Sequence, residues 1–412
     1  KDQAEIGKAH IKWLDEQGKG ISVASMEGLG KSLAILHEAE EDRKHVCLIT
    51  ALVSTLNWVL WEYDEERGFA DKLSGEIEKI ERATNELHAL CLNAVQVVID
   101  EKRYDQLRIP PTAIPLIESS WEAEPPSLYG RFDLAYDGVS PPKMLEYNAD
   151  TPTSLLEASV IQWDWMQDRF PKWDQFNALH ESLIALWREF QPYLPAPGPD
   201  GHVVHFSSMD DVEDAMTSAY IAETAALAGY RVKMLAIDDI GWNDLAREFR
   251  DLDEERITTL FKLYPWEWMA SEAFAAHVLP SESVVIEPAW KMILSNKGIL
   301  PILWELNPDS PYLLPAYFDD PGDMFEWVKK PLLSREGANV TVHTMQDHIE
   351  GKGSYGAEGF IFQELASIPL FDGRRPVIGS WMIGQSAAGM GIRESDGWVT
   401  DNTSRFVPHI FR

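Results

Sequence analysis

Cysteine is nearly absent from this chain: Cys47 and Cys91 are the only two among 412 residues. One pair cannot build a disulfide framework, and a cysteine-ligated zinc site needs more thiolates than are available. So few thiols fit a reducing cytoplasm, the location expected here. Basic residues are scarce too, 36 Lys and Arg against 67 Asp and Glu, for a formal net charge of -31. Such a surface repels nucleic acid and anionic membrane and draws in cationic ligands. Long apolar runs are missing. The nearest membrane candidate, residues 46–61, carries Thr50, Ser54, Thr55 and Asn57. It falls short of the roughly 20 apolar residues a span requires and reads as buried strand and helix. Lys1-Asp2-Gln3-Ala4-Glu5 opens a polar, helix-like run, not the apolar core of a signal peptide.

What is present points to a globular chain with sizeable cores: 45% hydrophobic residues and 16 Trp in a length suited to two or three domains. Apolar residues recur at helical spacing from residue 75 to 100, through Ile77, Ile80, Leu87, Leu90, Cys91, Val95 and Val98. The clearest linker is Gln191-Pro192-Tyr193-Leu194-Pro195-Ala196-Pro197-Gly198-Pro199-Asp200-Gly201. After it, His202 to Ser207 reads as a strand, Val212 to Gly229 as a helix and Arg231 to Ile237 as a strand, a βαβ unit that implies a parallel sheet. Trp266-Glu267-Trp268 reads as core and sheet rim. From Pro288 onward, short apolar runs alternate with glycine-bearing loops, as in an α+β domain lining a cleft.

The most informative stretch is Arg131-Phe132-Asp133, a polar turn through Asp137-Gly138 and Pro141-Pro142, then Glu146-Tyr147-Asn148. Residues two apart in a strand share a face, so a hairpin gathers Arg131, Asp133, Glu146 and Asn148 on one side. Asp133, Glu146 and Asn148 offer the few hard oxygen ligands that Mg2+ takes, and Arg131 suits phosphate oxygens. Spacing alone favours the plainer reading, a solvated hairpin face of mixed charge. Ser154 and Glu157 form a capping-box pattern for the next helix, whose first amides could receive an anion beside Asn148. Gly28-Leu29-Gly30-Lys31-Ser32 suggests a P-loop, but Ser25 stands where that pattern wants glycine, and an ordinary strand-to-helix connection explains it as well. Lys329-Lys330-Pro331, then Ser334-Arg335-Glu336-Gly337 and a strand at Val340, have the form of a lysine and a small-residue lid over a triphosphate.

These motifs, taken in order, resemble the ATP-grasp ligases related to glutathionylspermidine synthase, most closely the stand-alone bacterial proteins described as acid–amine ligases. The resemblance rests on Leu128 to Asp133, Leu145 to Leu155, Phe261 to Pro265, Leu294 to Gly298, Ser334 to Gly337, Ile378 to Trp381 and Gly389 to Glu394, and covers about Trp61 to Arg412. It implies a mixed α+β and α/β chain: an ATP-grasp fold preceded by a Rossmann-like pre-ATP-grasp domain, with helical elements. The expected division is an extension of unknown role at 1–55, a helical segment with the metal hairpin at 56–200, a pre-ATP-grasp-like α/β part at 201–285 and the nucleotide-binding part at 286–412. By the same resemblance ATP and Mg2+ are the cofactors. Asp133, Glu146 and Asn148 are the metal ligands, and Arg131 and Arg393 the catalytic arginines. ATP contacts are Arg131, Phe132, Asp133, Lys297, Lys330, Gly337, Gln363, Glu364 and Leu365. Thr151, Thr153 and Glu213 are substrate contacts. The implied reaction joins a small-molecule or peptide carboxylate to an amine, with no nucleic acid or membrane partner. Leu263 and Trp268 stand where the glutathionylspermidine synthases carry threonines, and Thr403-Ser404-Arg405 replaces their acidic polyamine contact, so neither glutathione nor spermidine is implied. The competing class is an ATPase or nucleotide-binding protein without ligase activity, using Gly28 to Ser32 or a non-catalytic ATP-grasp fold.

Overall fold

The computed structural model describes residues 70–198, 201–209, 211–401 and 403–411. The Gly28 to Ser32 motif and residues 46–61 lie outside them. The expected helix is α1 (Ala70–Asp100), whose apolar stripe of Leu87, Cys91, Val95 and Val98 is fully buried. Burial also raises the pKa of the Cys91 thiol, so it packs as a small apolar group. Strands β1 (Tyr129–Ala135) and β2 (Lys143–Asn148) form the expected hairpin. Helix α2 (Leu179–Phe190) leads into the linker, and β3 (Val203–Ser208), α3 (Val212–Leu227) and β4 (Arg231–Ala236) are the βαβ unit. Asp211 caps α3, its carboxylate accepting the amides of Glu213 and Asp214.

Two short strands, β5 (Gly241–Asn243) and β6 (Glu248–Arg250), pair with each other; β7 (Thr259–Leu263) and β8 (Val284–Ile286) then join the parallel sheet, order β4-β3-β7-β8. After α4 (Ile299–Leu306) come β9 (Ala316–Phe318), β10 (Trp327–Pro331), β11 (Thr341–His343), β12 (His348–Glu350) and β13 (Phe360–Glu364), an antiparallel sheet of order β12-β11-β10-β13-β9. The chain ends on β14 (Arg375–Ile383), β15 (Ser386–Ser395) and β16 (Arg405–Val407), which do not make a sheet of their own. They add to the hairpin, in the order β16-β15-β14-β1-β2, with Asp133 opposite Gly379. The hairpin and strands more than two hundred residues later are therefore one sheet, and α1 packs across β14 and β15.

The capping box does not form. Ser154 has a φ of 68°, outside the extended region an N-cap hydroxyl requires, and Glu157 is drawn into a buried π-helical turn, Glu157–Ile161. Among the described residues, no helix is long and apolar enough to cross a membrane.

Candidate functional site

The hairpin register places Arg131 opposite Asn148 and Asp133 opposite Glu146, so the four side chains read from the sequence share one wall. Arg131 grips Asp133 with two hydrogen bonds, Nε to Oδ1 at 2.7 Å and Nη2 to Oδ2 at 3.1 Å. Its Nη1 donates to the Thr153 carbonyl at 2.6 Å. Arg393 reaches across from β15 to the same Asp133 Oδ2 at 2.6 Å. A Cβ at position 379 would sit 2.9 Å from Arg131 Cδ, so glycine there lets the arginine lie flat on the sheet. Burial and the Arg131 charge lower the pKa of Arg393, while Asp133 opposes them.

The second sheet supplies the facing wall. Lys297 Nζ lies 3.1 Å from Glu146 Oε2 and donates to the Ser334 carbonyl at 2.7 Å, joining the hairpin to the loop after β10. Lys330 donates to the Leu145 carbonyl at 2.8 Å and to Gln363 Oε1 at 2.7 Å, and Gln363 in turn donates to the Met144 carbonyl. Burial lowers the pKa of Lys330 to about 8, with Lys297 adding to the shift and Glu146 resisting it. Burial works against the Glu146 carboxylate, yet the charges of Lys297 and Lys330 hold its pKa well below the usual carboxylate range. Together these walls enclose a cavity of about 280 Å³.

The Asp133 and Glu146 carboxylates and the Asn148 amide, whose nitrogen donates to Glu146 at 3.0 Å, are a hard-oxygen set that fits Mg2+. Among the described residues no group of three or more His, Cys, Asp or Glu forms a full metal cage. A partial set suits an ion that keeps water and phosphate in its shell.

A third group closes the cavity with opposite charge. Glu213 lines it, and burial, then Glu157 and Asp214, push its pKa up to about 7. Burial and Asp211 raise Asp214 to about 6. Below them, Asp150 receives Lys262 Nζ at 2.6 Å and the Trp266 amide at 2.8 Å, which ties the 150–154 segment to the end of β7.

Of the residues singled out in the sequence, Arg131, Asp133, Glu146, Asn148, Thr151, Thr153, Glu213, Lys297, Lys330, Gly337, Gln363, Glu364, Leu365 and Arg393 all line this one cavity. Phe132 does not. Strand alternation turns it to the opposite face, where it stacks on Tyr147 with ring centroids 3.8 Å apart, so as a nucleotide-contacting side chain it is corrected to core. Sequence reasoning passed over Arg335, Glu267 and the 398–401 segment. Arg335 donates to Thr151 Oγ1 at 2.8 Å and lies 5.2 Å from the centroid of Trp268, and both it and Glu267 line the cavity. Its place inside the Ser334 to Gly337 motif was the available signal.

A sequence model of the family described as glutathionylspermidine synthase pre-ATP-grasp matches residues 56–412. The chain belongs to the glutathionylspermidine synthase family. That bears out the resemblance read from the ordered motifs, and it makes the chain a member of a family of carbon–nitrogen ligases. Within the glutathionylspermidine synthase family, a Haemophilus influenzae protein named only provisionally as an acid–amine ligase is 46% identical over 350 residues, 82% of this chain and 88% of its own length. Trypanothione synthetase of Crithidia fasciculata is 31% identical over 78% of this chain, and the bifunctional glutathionylspermidine synthetase/amidase of Escherichia coli 27% identical over 82%. The chain spans 53% and 58% of the lengths of those two larger proteins. A glutathione synthetase-like effector of Globodera pallida shares the fold, with a TM-score of 0.53 over 91% of this chain and 96% of its own, at 10% identity.

Proposed function

We propose that this protein is an ATP-dependent carboxylate–amine ligase that forms an amide through an acylphosphate. The observation that carries the reading is the Asp133, Glu146 and Asn148 set standing against Lys297 and Lys330 in one cavity between two sheets. Asp133, Glu146 and Asn148 would hold Mg2+, which when bound draws negative charge from the phosphate chain. Lys297 and Lys330 neutralise the same chain from the facing wall, and Gln363 fixes Lys330 by accepting a hydrogen bond from it at 2.7 Å. The segment Gln363 to Leu365, at the end of β13 and lining the cavity, would meet the adenine. Arg131 and Arg393 converge on Asp133, and they would meet the charge that builds up on the transferring phosphoryl group.

The chemistry accounts for the need for ATP. A carboxylate carbon resists attack by an amine, because oxide is not a leaving group, until one of its oxygens becomes a phosphate leaving group. The substrate carboxylate oxygen takes the γ-phosphoryl group and ADP departs. The amine lone pair then attacks the acyl carbon, the C–O bond to phosphate breaks, and the amine gives up its proton. Glu213, which lines the cavity, supplies an acidic end whose raised pKa a cationic amine would draw back down by favouring the carboxylate. Leu263 and Trp268 stand where the glutathionylspermidine synthases are expected to carry threonines, so the acid and the amine are proposed as classes only.

The deciding experiment is an ADP-release screen of di- and tripeptides against polyamines and amino acids, with mass spectrometry of any product. ADP release should require both substrates and vanish in Lys330→Ala. AMP as the product, or turnover that survives Lys330→Ala and dies in Lys31→Ala, would overturn the proposal.

A further inference from the structure

Two serine hydroxyls beside Lys297 have no hydrogen-bond partner among the described residues, although both oxygens are buried: Ser295 Oγ and Ser334 Oγ. Ser334 as a whole is 5% exposed, and both residues line the cavity. A buried hydroxyl left unpaired costs about 1–3 kcal/mol, so proteins seldom keep one without a reason. The local backbone offers each an ordinary escape. Ser295 ends the short helix Lys291–Ser295, where a serine commonly bonds back to a carbonyl one turn earlier, and here it does not. Ser334 lies in the loop between β10 and β11, and its own carbonyl is taken by Lys297 Nζ at 2.7 Å.

The company these hydroxyls keep identifies their partner by class. Lys297 repels cations, which excludes an ammonium group, and its donors are already turned to carbonyl and carboxylate oxygens. A lysine bonded to the Ser334 carbonyl, with the Ser295 hydroxyl two residues before it in the chain, makes with the two hydroxyls a donor set for an anion with several oxygens. Lys297 contacts Glu146, which places it against the carboxylate wall of the cavity. We propose that Ser334 and Ser295 contact the phosphate chain of the bound nucleotide, with Ser334 carrying the contact from the loop and Ser295 from the helix end. This rests on the reading of the cavity as an ATP site.

The test separates a ligand contact from a structural one, because a hydroxyl with no protein partner contributes nothing to the fold. Ser334→Ala, Ser295→Ala and Ser334→Thr are compared with the unaltered protein by thermal unfolding without ligand and by calorimetric titration with MgATP and with adenosine. Ser334→Ala should unfold at the same temperature or higher and bind ATP about tenfold more weakly or worse, with adenosine affinity unchanged. Ser334→Thr should keep most of the ATP affinity, and Ser295→Ala should repeat the pattern more weakly. Unchanged ATP affinity in Ser334→Ala overturns the inference, and so does a lowered unfolding temperature, which would give the hydroxyl a structural role. If the unaltered protein binds neither ATP nor adenosine, the nucleotide reading of the cavity falls, and this inference falls with it.

Discussion

Lys262→Met should destabilise the protein by about 3–5 kcal/mol, the range for breaking a buried ion pair from one side. Lys262 is wholly buried, and its ammonium group donates to Asp150 Oδ1 at 2.6 Å and to the Tyr264 carbonyl at 2.9 Å. Methionine keeps the length of the side chain and its contact with the Trp266 ring, so little volume is lost. What remains is the Asp150 carboxylate, 2% exposed and bonded only to the Trp266 amide at 2.8 Å. Against a total stability of roughly 5–15 kcal/mol the loss is large. In the double variant Asp150→Asn, Lys262→Met, asparagine still accepts the Trp266 amide and no charge is stranded. It should recover more than half of the loss, leaving about 1 kcal/mol for the unsatisfied Tyr264 carbonyl. Urea unfolding followed by tryptophan fluorescence measures both variants. A double variant no more stable than Lys262→Met alone would show that charge burial is not what Lys262 relieves.

Gly337→Ala should weaken ATP binding about tenfold by titration with little change in far-UV circular dichroism, since φ is +69° and the new Cβ would lie 2.5 Å from Val399 Cγ1 and 2.9 Å from the Thr400 carbonyl. Glu213→Gln should raise the unfolding temperature at pH 8 and leave it nearly unchanged at pH 4. Burial, then Glu157 and Asp214, raise the folded pKa from 4.5 to about 7, so between those values the folded state holds a proton that the unfolded chain has released. Stability therefore falls as pH rises through that window, and glutamine removes the fall; a stabilisation equal at both pH values would contradict it.

Much of the site was legible because strand alternation is a local property. Arg131 with Asp133, and Glu146 with Asn148, follow from a period of two and a turn signal, and the hairpin register bears both out. The same alternation put Phe132 on the core face, a consequence the motif-based reading of that tripeptide overrode. The capping box failed for the opposite reason: its spacing is local, but the backbone at Ser154 is fixed by tertiary contacts around Asp150, Thr151 and Thr153.

The sequence by itself determined which chemistry the chain carries: hard-oxygen donors on one hairpin, lysines at two later positions, a glycine-bearing loop and a βαβ unit, each set by spacing along a few residues. Only the tertiary structure decided that these meet. Sheet pairing of β1 with β14 brings Arg393 to Asp133, and Lys297 closes on Glu146 across separations that no local periodicity encodes. The charge state of the site also belongs to the fold, because the shifts at Glu213, Lys330 and Glu146 come from burial and from neighbours distant in sequence.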